Sequence, residues 1–295
     1  MPELIPIDAQ FAAAALPRRA EDGHKGTFGK LLIVGGSVGY TGAPYLAASA
    51  AVHSGCGLVY LGVPESIWQA EAVKCTSAMP FPLPDDGGML CESSYGGIVE
   101  RLSGCDVLAL GPGLGRSTGV QKLVPLLLDF AAQSVVLDAD GINALVGNAD
   151  LLKLRRGRVT VLTPHEAEFS RLRGLPLSDV VHGDRAALAR EFAAEYGCTL
   201  VLKGHRTVVA LPDGQVFVNT CGGSELAKGG SGDVLTGLIA SLLCQGASAR
   251  DAACCGVYLH ARAGELLARQ QTPYCVTPLS LIEQGFAQAF GELLK

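Results

Sequence analysis

Short, uninterrupted apolar runs recur along the first two thirds of the chain, and stretches of helical character separate them. Continuous runs of this kind, without alternation of apolar and polar positions, are typical of parallel strands covered on both faces. The predicted strands are 31–34, 58–63, 107–110, 135–137, 159–162 and 199–202. The predicted helices between them include 43–53, 119–132 and 185–196. The pattern therefore predicts an α/β fold with a mostly parallel central sheet and helices on both faces.

The pattern changes after residue 202. Residues 207–211 and 215–218 flank a Pro-Asp-Gly turn, which predicts an antiparallel hairpin at the end of the sheet. Three long helices are then predicted, at 232–243, 247–268 and 280–294. Residues 80–97 are rich in proline and glycine, and we interpret them as a surface excursion rather than a domain boundary. We therefore predict one domain over residues 1–295.

Composition narrows the class of protein. The 295 residues include 38 glycines, 48% apolar residues and a formal net charge of −5. The glycines have no three-residue period, which excludes collagen, and the apolar content is too high for a disordered chain. A slightly acidic chain argues against a protein that holds nucleic acid by charge. The glycine excess indicates tight turns and loops that approach a ligand closely.

Ten cysteines are present, but none belongs to a C-x-x-C pair or to a Cys/His spacing typical of zinc sites. A chain with this much apolar sequence does not need a disulfide framework, so free thiols in a reducing compartment are predicted. No apolar stretch reaches the length of a membrane span, and no secretory signal is evident. We therefore expect a cytoplasmic protein without a membrane partner.

Glycine-rich loops follow the predicted strands, where ligands bind in open α/β sheets. Residues 35–43 contain four glycines and open a helix, yet they match neither the dinucleotide G-x-G-x-x-G pattern nor a Walker A loop. Residues 111–115 form a second Gly-Pro-Gly-Leu-Gly loop. We expect the first loop to approach a nucleotide or a nicotinamide. The second is equally consistent with a ligand loop or a stiff turn.

Polar side chains follow three further strands. Asp140 is placed to reach a ligand or to cap a helix. Thr163 and Glu166 are predicted to form a capping box, and His165 between them could contact a ligand ring or be purely structural. Residues 203–207 provide two cations and a hydroxyl, which suits phosphate binding or a solvated loop.

Residues 228–237 give the most specific signal. Gly230, Ser231 and Gly232 precede Asp233 at the start of a long apolar helix, where backbone N–H groups and the helix dipole favour an anion. A carboxylate there is repelled by a bound phosphate unless it does chemistry, such as accepting a proton from a hydroxyl that attacks the phosphate. The alternative is an Asp that only caps the helix, and we favour the catalytic interpretation.

Taken together, these segments resemble the ADP-dependent (S)-NAD(P)H-hydrate dehydratases of the ribokinase-like superfamily. The resemblance covers nearly the whole chain. It rests on seven motifs in the same order as in that family, at 25–29, 35–43, 111–115, 138–141, 163–166, 203–204 and 229–233.

The resemblance implies a repair reaction on hydrated nicotinamide cofactors. ADP phosphorylates the hydroxyl of (S)-NADHX or (S)-NADPHX, and loss of phosphate restores the double bond and leaves AMP and phosphate. Both ADP and ATP, and both hydrates, remain candidate substrates at this point. Magnesium is expected with the nucleotide phosphates, without a protein metal site. The resemblance further implies a homo-oligomer, a tetramer in the family, and no epimerase domain, so epimerase activity is expected on a separate protein or not at all.

The resemblance also assigns roles to residues. Asp233 is implied as the base on the substrate hydroxyl, with an anion hole formed by Gly230, Ser231 and Gly232. The residues implied to contact the hydrated cofactor are Ala43, Gly113, Gly115, Asp140, His165 and Asp233. Those implied to hold the adenine nucleotide are Lys203, Gly204, His205, Arg206, Thr207 and Gly232. The chain departs from the family pattern at Gly223, where Asn is common, and at Glu225.

Two other functions use the same residues. A small-molecule kinase of this superfamily, acting on a vitamin-precursor alcohol such as a thiazole or pyrimidine, would need the same Asp233 and anion hole. A dinucleotide-binding sensor without turnover is a third possibility. Asp233 argues against the sensor, because a carboxylate that faces phosphate weakens binding.

Overall fold

A ten-stranded sheet runs through the computed structural model, which describes residues 4–295. The strands are β1 Leu4–Ile7, β2 Lys30–Val34, β3 Leu58–Pro64, β4 Met79–Leu83, β5 Asp85–Asp86, β6 Met89–Leu90, β7 Val107–Leu110, β8 Ser134–Leu137, β9 Thr160–Leu162, β10 Thr199–Leu202, β11 Val208–Ala210 and β12 Val216–Asn219. The order across the large sheet is β1-β12-β11-β10-β9-β8-β7-β2-β3-β4, while β5 and β6 form a separate hairpin. Within the large sheet, only β11 runs antiparallel to its neighbours.

Helices cover both faces of this sheet. They are α1 Ala9–Ala15, α2 Gly42–His53, α3 Glu65–Lys74, α4 Tyr95–Leu102, α5 Thr118–Phe130, α6 Ala139–Asn143, α7 Glu166–Arg173, α8 Leu177–His182, α9 Arg185–Tyr196, α10 Ser231–Cys244, α11 Ala249–Gln271, α12 Pro278–Ser280 and α13 Phe286–Leu293. Short 3₁₀ turns lie at Glu92–Ser94, Ala149–Arg155 and Ser224–Leu226, and a π segment, Leu281–Gly285, joins α12 to α13.

Two separate apolar cores show why the strands are uninterrupted apolar runs. Along β2, Leu31 and Ile33 belong to a core with α2, α10 and α11, whereas Leu32 and Val34 belong to a core with α5, α7 and α9. Successive side chains of a strand point to opposite faces, so a strand buried on both faces needs apolar residues at every position. The predicted mostly parallel α/β fold with a late hairpin is therefore confirmed, and the eight predicted strands differ from the observed ones by at most one residue at either end.

Residues 80–97, interpreted from the sequence as a surface excursion, have more regular structure than the sequence indicates. Most of this segment is structured: it holds most of the edge strand β4, the β5–β6 hairpin, a 3₁₀ turn and the start of α4. The prolines at 80 and 82 make β4 hard to predict from the sequence, because proline is uncommon in strands. It cannot donate a ladder hydrogen bond, so it is tolerated only where its missing amide faces away from the partner strand. The opposite edge strand β1, which contains Pro6, was also missed.

The β5–β6 hairpin packs on two of the glycine loops. Val38 donates its backbone N–H to the carbonyl of Gly88 at 2.9 Å. A Cβ atom at Gly115 would lie 2.6 Å from the sulfur of Met89, so this glycine leaves room for the hairpin. The hairpin therefore covers loops 35–43 and 111–115 from outside.

Helix α10 packs against α2 by backbone contact. A Cβ atom at Gly237 would lie 2.0 Å from the carbonyl oxygen of Ala47, so only glycine permits the two helices to approach this closely. Residues 234–244 are all buried, which leaves α10 no freedom to shift within the core. This contact fixes the start of α10, which carries residues 230–233, beside the start of α2, which carries Ala43.

Replacing Gly237 by alanine is expected to lower the free energy of unfolding by about 1–3 kcal/mol, because the added methyl group forces α2 and α10 apart. The measurement is the midpoint of urea unfolding. Gly291→Ala is the matched control: Gly291 also lies in a helix, but a Cβ atom there meets nothing within 4 Å. That control is expected to raise the stability by about 0.5–1 kcal/mol. Equal midpoints for both variants would contradict the packing argument.

Candidate active site

The glycine loops at the carboxyl ends of β2 and β7 are bonded to each other. The hydroxyl of Ser37 donates to the carbonyl of Gly113 at 2.8 Å, and this bond is buried. The amide of Gly36 donates to the carbonyl of Pro112 at 2.8 Å. Gly113 has φ +67° and lies against Tyr40 and Ala43, where a side chain would collide. The two loops therefore form one surface, which brings Ala43 and Gly113 together.

Asp140 holds this surface from the side of β8. One carboxylate oxygen accepts from the amide of Gly115 at 3.0 Å. The other accepts from Arg116 and Asn143, each at 3.1 Å. Asp140 does not cap α6, because the residue at the cap position is Asp138, whose side chain makes no capping bond. The side chain of Asp140 therefore fixes the glycine loop in place.

Asp138 connects four elements at the carboxyl edge of the sheet. It is almost completely buried. Its Oδ1 accepts from Lys203 Nζ and from the hydroxyl of Thr163, both at 2.8 Å, and its Oδ2 accepts from the hydroxyl of Thr236 at 2.8 Å. These bonds tie the end of β8 to the ends of β9 and β10 and to α10. The sequence analysis assigned no role to Asp138. The signal that could have indicated one is the presence of Thr163 and Lys203 directly after the next two strands of the sheet.

Lys203 lies between Asp138 and the start of α10. A Cβ atom at Gly232 would be 3.0 Å from Lys203 Nζ, so the ammonium group faces the backbone of the predicted anion hole. Burial by itself lowers the pKa of Lys203, but the attraction of Asp138 and Glu168 outweighs it and holds the pKa above the ordinary lysine value. The site therefore keeps a fixed positive charge at neutral pH.

Asp233 is the third residue of α10 and is partly buried. Gly230, with φ +95°, is the N-cap residue that precedes the helix, so Asp233 is not its cap. Burial and the negative charge of Asp138 raise the pKa of Asp233 to about 7, although Lys203 opposes this rise. A carboxyl group with this pKa can accept a proton near neutral pH, which is the property required of a general base.

His165 caps α7, and the predicted capping box of Thr163 with Glu166 is wrong. The box is formed two residues later, by His165 and Glu168. His165 Nδ1 accepts from the amides of Ala167 and Glu168, and Glu168 accepts from the amide of His165 at 2.9 Å. Thr163 is instead buried and bonded to Asp138. The imidazole of His165 is half exposed at the mouth of the site.

A cleft of about 750 Å³ opens beside the start of α10. Among the residues predicted from the sequence, it is lined by His165, Lys203, Gly204, His205, Arg206, Thr207, Ser231 and Gly232. Leu226, Leu235 and Val257 contribute an apolar wall. All six residues predicted to hold the adenine nucleotide thus meet in one cleft. Ala43, Gly113, Gly115, Asp140, Gly230 and Asp233 do not line it.

Of the two departures from the family pattern, Gly223 lines this cleft and Glu225 does not. Glu225 is buried and accepts from the amide of Gly223 at 2.7 Å. Glu265, from α11, accepts from the amide of Gly222 at 2.9 Å. The two residues that depart from the pattern therefore bond to each other. The amides of Gly222 and Gly223 both donate to carboxylates of the chain itself.

His260, in the middle of α11, is a site residue that sequence reasoning missed. Its Nε2 lies 3.2 Å from the hydroxyl of Ser231, and both residues are buried and line the cleft. Burial lowers the pKa of His260 to about 4, so its ring is neutral at physiological pH. A single histidine within a long helical stretch gives no signal in the sequence.

No group of three or more His, Cys, Asp or Glu side chains within residues 4–295 is arranged to hold a metal ion. All ten cysteines are free thiols, of which five are buried, four are half-buried and one, Cys275, is exposed. Within the same residues, no helix has both the length and the apolar character needed to cross a membrane.

Comparison with known proteins gives consistent matches. The NAD(P)H-hydrate dehydratase family model matches residues 31–285. A relative from Neisseria meningitidis serogroup B, named ADP-dependent (S)-NAD(P)H-hydrate dehydratase, is 43% identical over 250 residues, which cover 84% of this chain and 80% of the relative. The chain spans about half the length of other curated relatives, which are named bifunctional NAD(P)H-hydrate repair enzymes.

Two solved structures share the whole fold. A ribokinase-like superfamily protein from Enterococcus faecalis has a TM-score of 0.83 and 26% identity, over 98% of this chain and 96% of its own. The ADP/ATP-dependent NAD(P)H-hydrate dehydratase from Bacillus subtilis, crystallised with ATP and Mg²⁺, has a TM-score of 0.82 and 29% identity, over 99% of both chains. These matches confirm the ribokinase-like fold and the resemblance inferred from the seven motifs.

The Lys203→Met variant is expected to lose about 3–5 kcal/mol of unfolding free energy, because it leaves the buried Asp138 without its cation. Adding Asp138→Asn to this variant is expected to restore part of the loss, since the amide carries no charge, its Oδ1 still accepts from Thr163, and its Nδ2 donates to the hydroxyl of Thr236 in place of the lost acceptor. Lys122→Met, which removes an exposed ion pair with Glu92, is the matched control and is expected to leave the midpoint nearly unchanged. The measurement is urea unfolding. A double variant less stable than Lys203→Met would contradict this account.

Proposed function

The chain belongs to the NAD(P)H-hydrate dehydratase family, and we propose that it dehydrates the S forms of hydrated NADH and NADPH with ADP as the phosphoryl donor. The products are NADH or NADPH, AMP and phosphate. The observation that carries the proposal is Asp233, a carboxyl group with a pKa of about 7 that directly follows the anion hole and stands beside Lys203. The name of the meningococcal relative supports the choice of reaction.

The proposed reaction begins with phosphoryl transfer. The hydroxyl oxygen of the hydrate bonds to the β-phosphorus of ADP, and the bond from that phosphorus to the bridging oxygen breaks, which releases AMP. The hydroxyl proton passes to Asp233. A carboxylate whose pKa matches the working pH is best suited to this transfer, because it is both available as a base and strong enough to take the proton.

The second step is elimination. The bond between the ring carbon and the phosphate oxygen breaks, and phosphate leaves with the electron pair. The proton of the neighbouring ring carbon passes to the departing phosphate, and the double bond of the dihydronicotinamide forms again. Phosphate is a far better leaving group than hydroxide, which explains why a nucleotide is consumed in a dehydration.

The start of α10 is proposed to bind the transferred phosphoryl group. Backbone N–H groups and the helix dipole stabilise negative charge at this end of a helix, and Lys203 adds a full positive charge. Glycine at 232 leaves the space between the backbone and Lys203 Nζ open, which a side chain would fill. Residues 203–207 and Gly232, which meet in the cleft, are proposed to hold the rest of the nucleotide.

The hydrated cofactor is proposed to bind on the other side of Asp233. Ala43 and Gly113 lie together on the joined glycine loops, with Gly115 held by Asp140. We assign Asp140 the role of orienting the substrate through this loop. His165, exposed at the mouth of the cleft, is proposed as a further contact to the substrate.

The residues present fit a magnesium ion that is carried by the nucleotide rather than by the protein. Asp138 and Asp140 use their oxygens in bonds to neighbouring side chains and amides. Mg²⁺ commonly keeps several waters and binds through substrate phosphates. The ion would be held by the ADP phosphates and would neutralise part of their charge during transfer.

The proposal also covers the domain organisation, the compartment, the oligomeric state and the partner reaction. We propose that residues 1–295 act as one dehydratase unit, in the cytoplasm and as a homotetramer. The relatives named bifunctional repair enzymes combine more than one activity. An epimerase that interconverts the R and S hydrates is the proposed partner reaction, because it would convert the R hydrate into the form used here.

The test of the proposed function is recovery of the absorbance band of NADH. Purified (S)-NADHX and Mg²⁺ are supplied with ADP in one reaction and with ATP in another, and the R hydrate serves as the control. We expect recovery with the S hydrate and ADP, and none with the R hydrate. No recovery with either nucleotide, together with phosphorylation of a thiazole alcohol, would establish the kinase alternative instead.

Asp233→Asn is expected to lower turnover at least 100-fold, because the amide cannot accept the hydroxyl proton. Binding of ADP, measured by calorimetry, is expected to stay the same or become tighter, because a negative charge near the phosphates is removed. Asp251→Asn is the matched control, since Asp251 is likewise the third residue of a helix but lies at the start of α11, outside the site. Unchanged turnover in Asp233→Asn would overturn the mechanism.

The rate is expected to depend on pH through Asp233. Only the ionised carboxylate accepts a proton, so kcat/KM, which reports the pKa of the free enzyme, should rise with pH, reach half its maximum near pH 7 and then level off. Asp138→Asn should move this midpoint to lower pH, because the charge of Asp138 is one cause of the raised pKa of Asp233. A midpoint near pH 4, typical of an ordinary carboxyl group, would contradict this assignment.

A further inference from the structure

Ser231 cannot contribute to the anion hole in the way its position suggests. Its backbone N–H already donates to the carbonyl of Lys228 at 3.2 Å. Its hydroxyl is therefore the group that remains for a ligand in the cleft. The one hydrogen-bond partner of that hydroxyl within residues 4–295 is His260, whose Nε2 lies 3.2 Å away.

The packing of α11 against α10 places His260 at this point. Gly256 lies one helical turn before His260, and a Cβ atom there would be 2.7 Å from the side chain of Ile239. The close approach of the two helices at Gly256 brings the imidazole of α11 to the first residue of α10. Because both His260 and Ser231 are buried, neither side chain has room to adopt another arrangement.

The protonation state of His260 decides what the Ser231 hydroxyl can do. The ring is neutral, because burial and the nearby charge of Lys203 disfavour the protonated form more than a hydrogen bond with the backbone of Ser231 favours it. A neutral imidazole carries one N–H. With the proton on Nε2, the ring donates to Ser231 and leaves the serine O–H free. With the proton on Nδ1, the ring accepts from Ser231 and consumes that O–H.

A bound phosphoryl group selects between these two arrangements. Its oxygens carry lone pairs and need donors, and a hydrogen bond to a charged acceptor is stronger than one between neutral groups. A serine that had given its proton to His260 would face the phosphoryl group with lone pairs of its own, which is repulsive. The anion therefore favours the arrangement with the proton on Nε2.

We propose that His260 is a positioning residue that donates from Nε2 to Ser231, so that the Ser231 hydroxyl donates to the transferred phosphoryl group. The hydrogen bonds run in one direction, from His260 to Ser231 and from Ser231 to the anion. His260 does not touch the substrate and acts through Ser231 alone. The inference rests on the proposed function only in so far as a phosphoryl group occupies the start of α10.

The experiment measures binding of inorganic phosphate to the AMP-loaded protein by calorimetry, a readout that does not depend on which alcohol is phosphorylated. His260→Leu removes the ring N–H with little loss of volume, and we expect it to weaken phosphate binding about tenfold while AMP binding stays the same. His260→Gln, which can place an amide N–H near the position of Nε2, is expected to recover most of this loss. The kcat for (S)-NADHX with ADP should follow the same order.

The Ser231→Ala variant separates positioning from general packing. If His260 acts through the Ser231 hydroxyl, adding His260→Leu to Ser231→Ala causes no further loss of phosphate affinity. If His260 only fills space, its replacement costs the same in both backgrounds, which overturns the inference. Unchanged phosphate affinity in His260→Leu alone also overturns it.

The same measurements distinguish this inference from the proposed function. A wild-type protein that fails to dehydrate (S)-NADHX but shows the expected phosphate-binding pattern refutes the function and retains the role of His260. A protein that dehydrates the hydrate, with phosphate affinity equal in all variants, retains the function and refutes the role of His260.

Discussion

The buried ion pair between Asp138 and Lys203 is the interaction on which the rest of the site depends. Three donors converge on the Asp138 carboxylate, from Thr163, Lys203 and Thr236, each at 2.8 Å. They come from two strand ends and from α10, so one side chain sets the distance between the sheet and the helix that carries Asp233. A buried carboxylate that lacked these partners would be too costly to keep in the fold.

The same pair also sets the chemistry. Burial raises the pKa of Asp233 most, the negative charge of Asp138 adds to the rise, and the positive charge of Lys203 opposes it. The result is a pKa of about 7. A carboxylate that is used in hydrogen bonds thus tunes a second carboxylate that is free to react. The Asp138–Lys203 pair therefore both connects the elements at this edge of the sheet and contributes to the pKa of Asp233.

The sequence predicted the interior of the fold better than its edges. Strands such as β2 and β7 are buried on both faces, so their apolar runs mark them clearly. The edge strands β1 and β4 are partly exposed and contain proline, which removes that signal.

A similar division applies to the site. Glycine loops and the residues before Asp233 are local in sequence, so their pattern was visible. Side chains that act only through tertiary contact were not visible. Asp138 gains its role from residues 25 to 98 positions away, and His260 from one 29 positions away. The capping box was misplaced because Thr163 bonds to Asp138 rather than to its own helix.

The prolines in the two edge strands have a consequence for how the molecule meets its neighbours. An exposed edge strand with free amides invites another chain to extend the sheet, which leads to unwanted association. Pro6 in β1 and Pro80 and Pro82 in β4 remove amide donors at both ends of the ten-stranded sheet, and Trp68 covers the carbonyl of Pro80 with an indole N–H at 3.2 Å. Extension of the sheet by strand addition is thereby disfavoured at both of its edges.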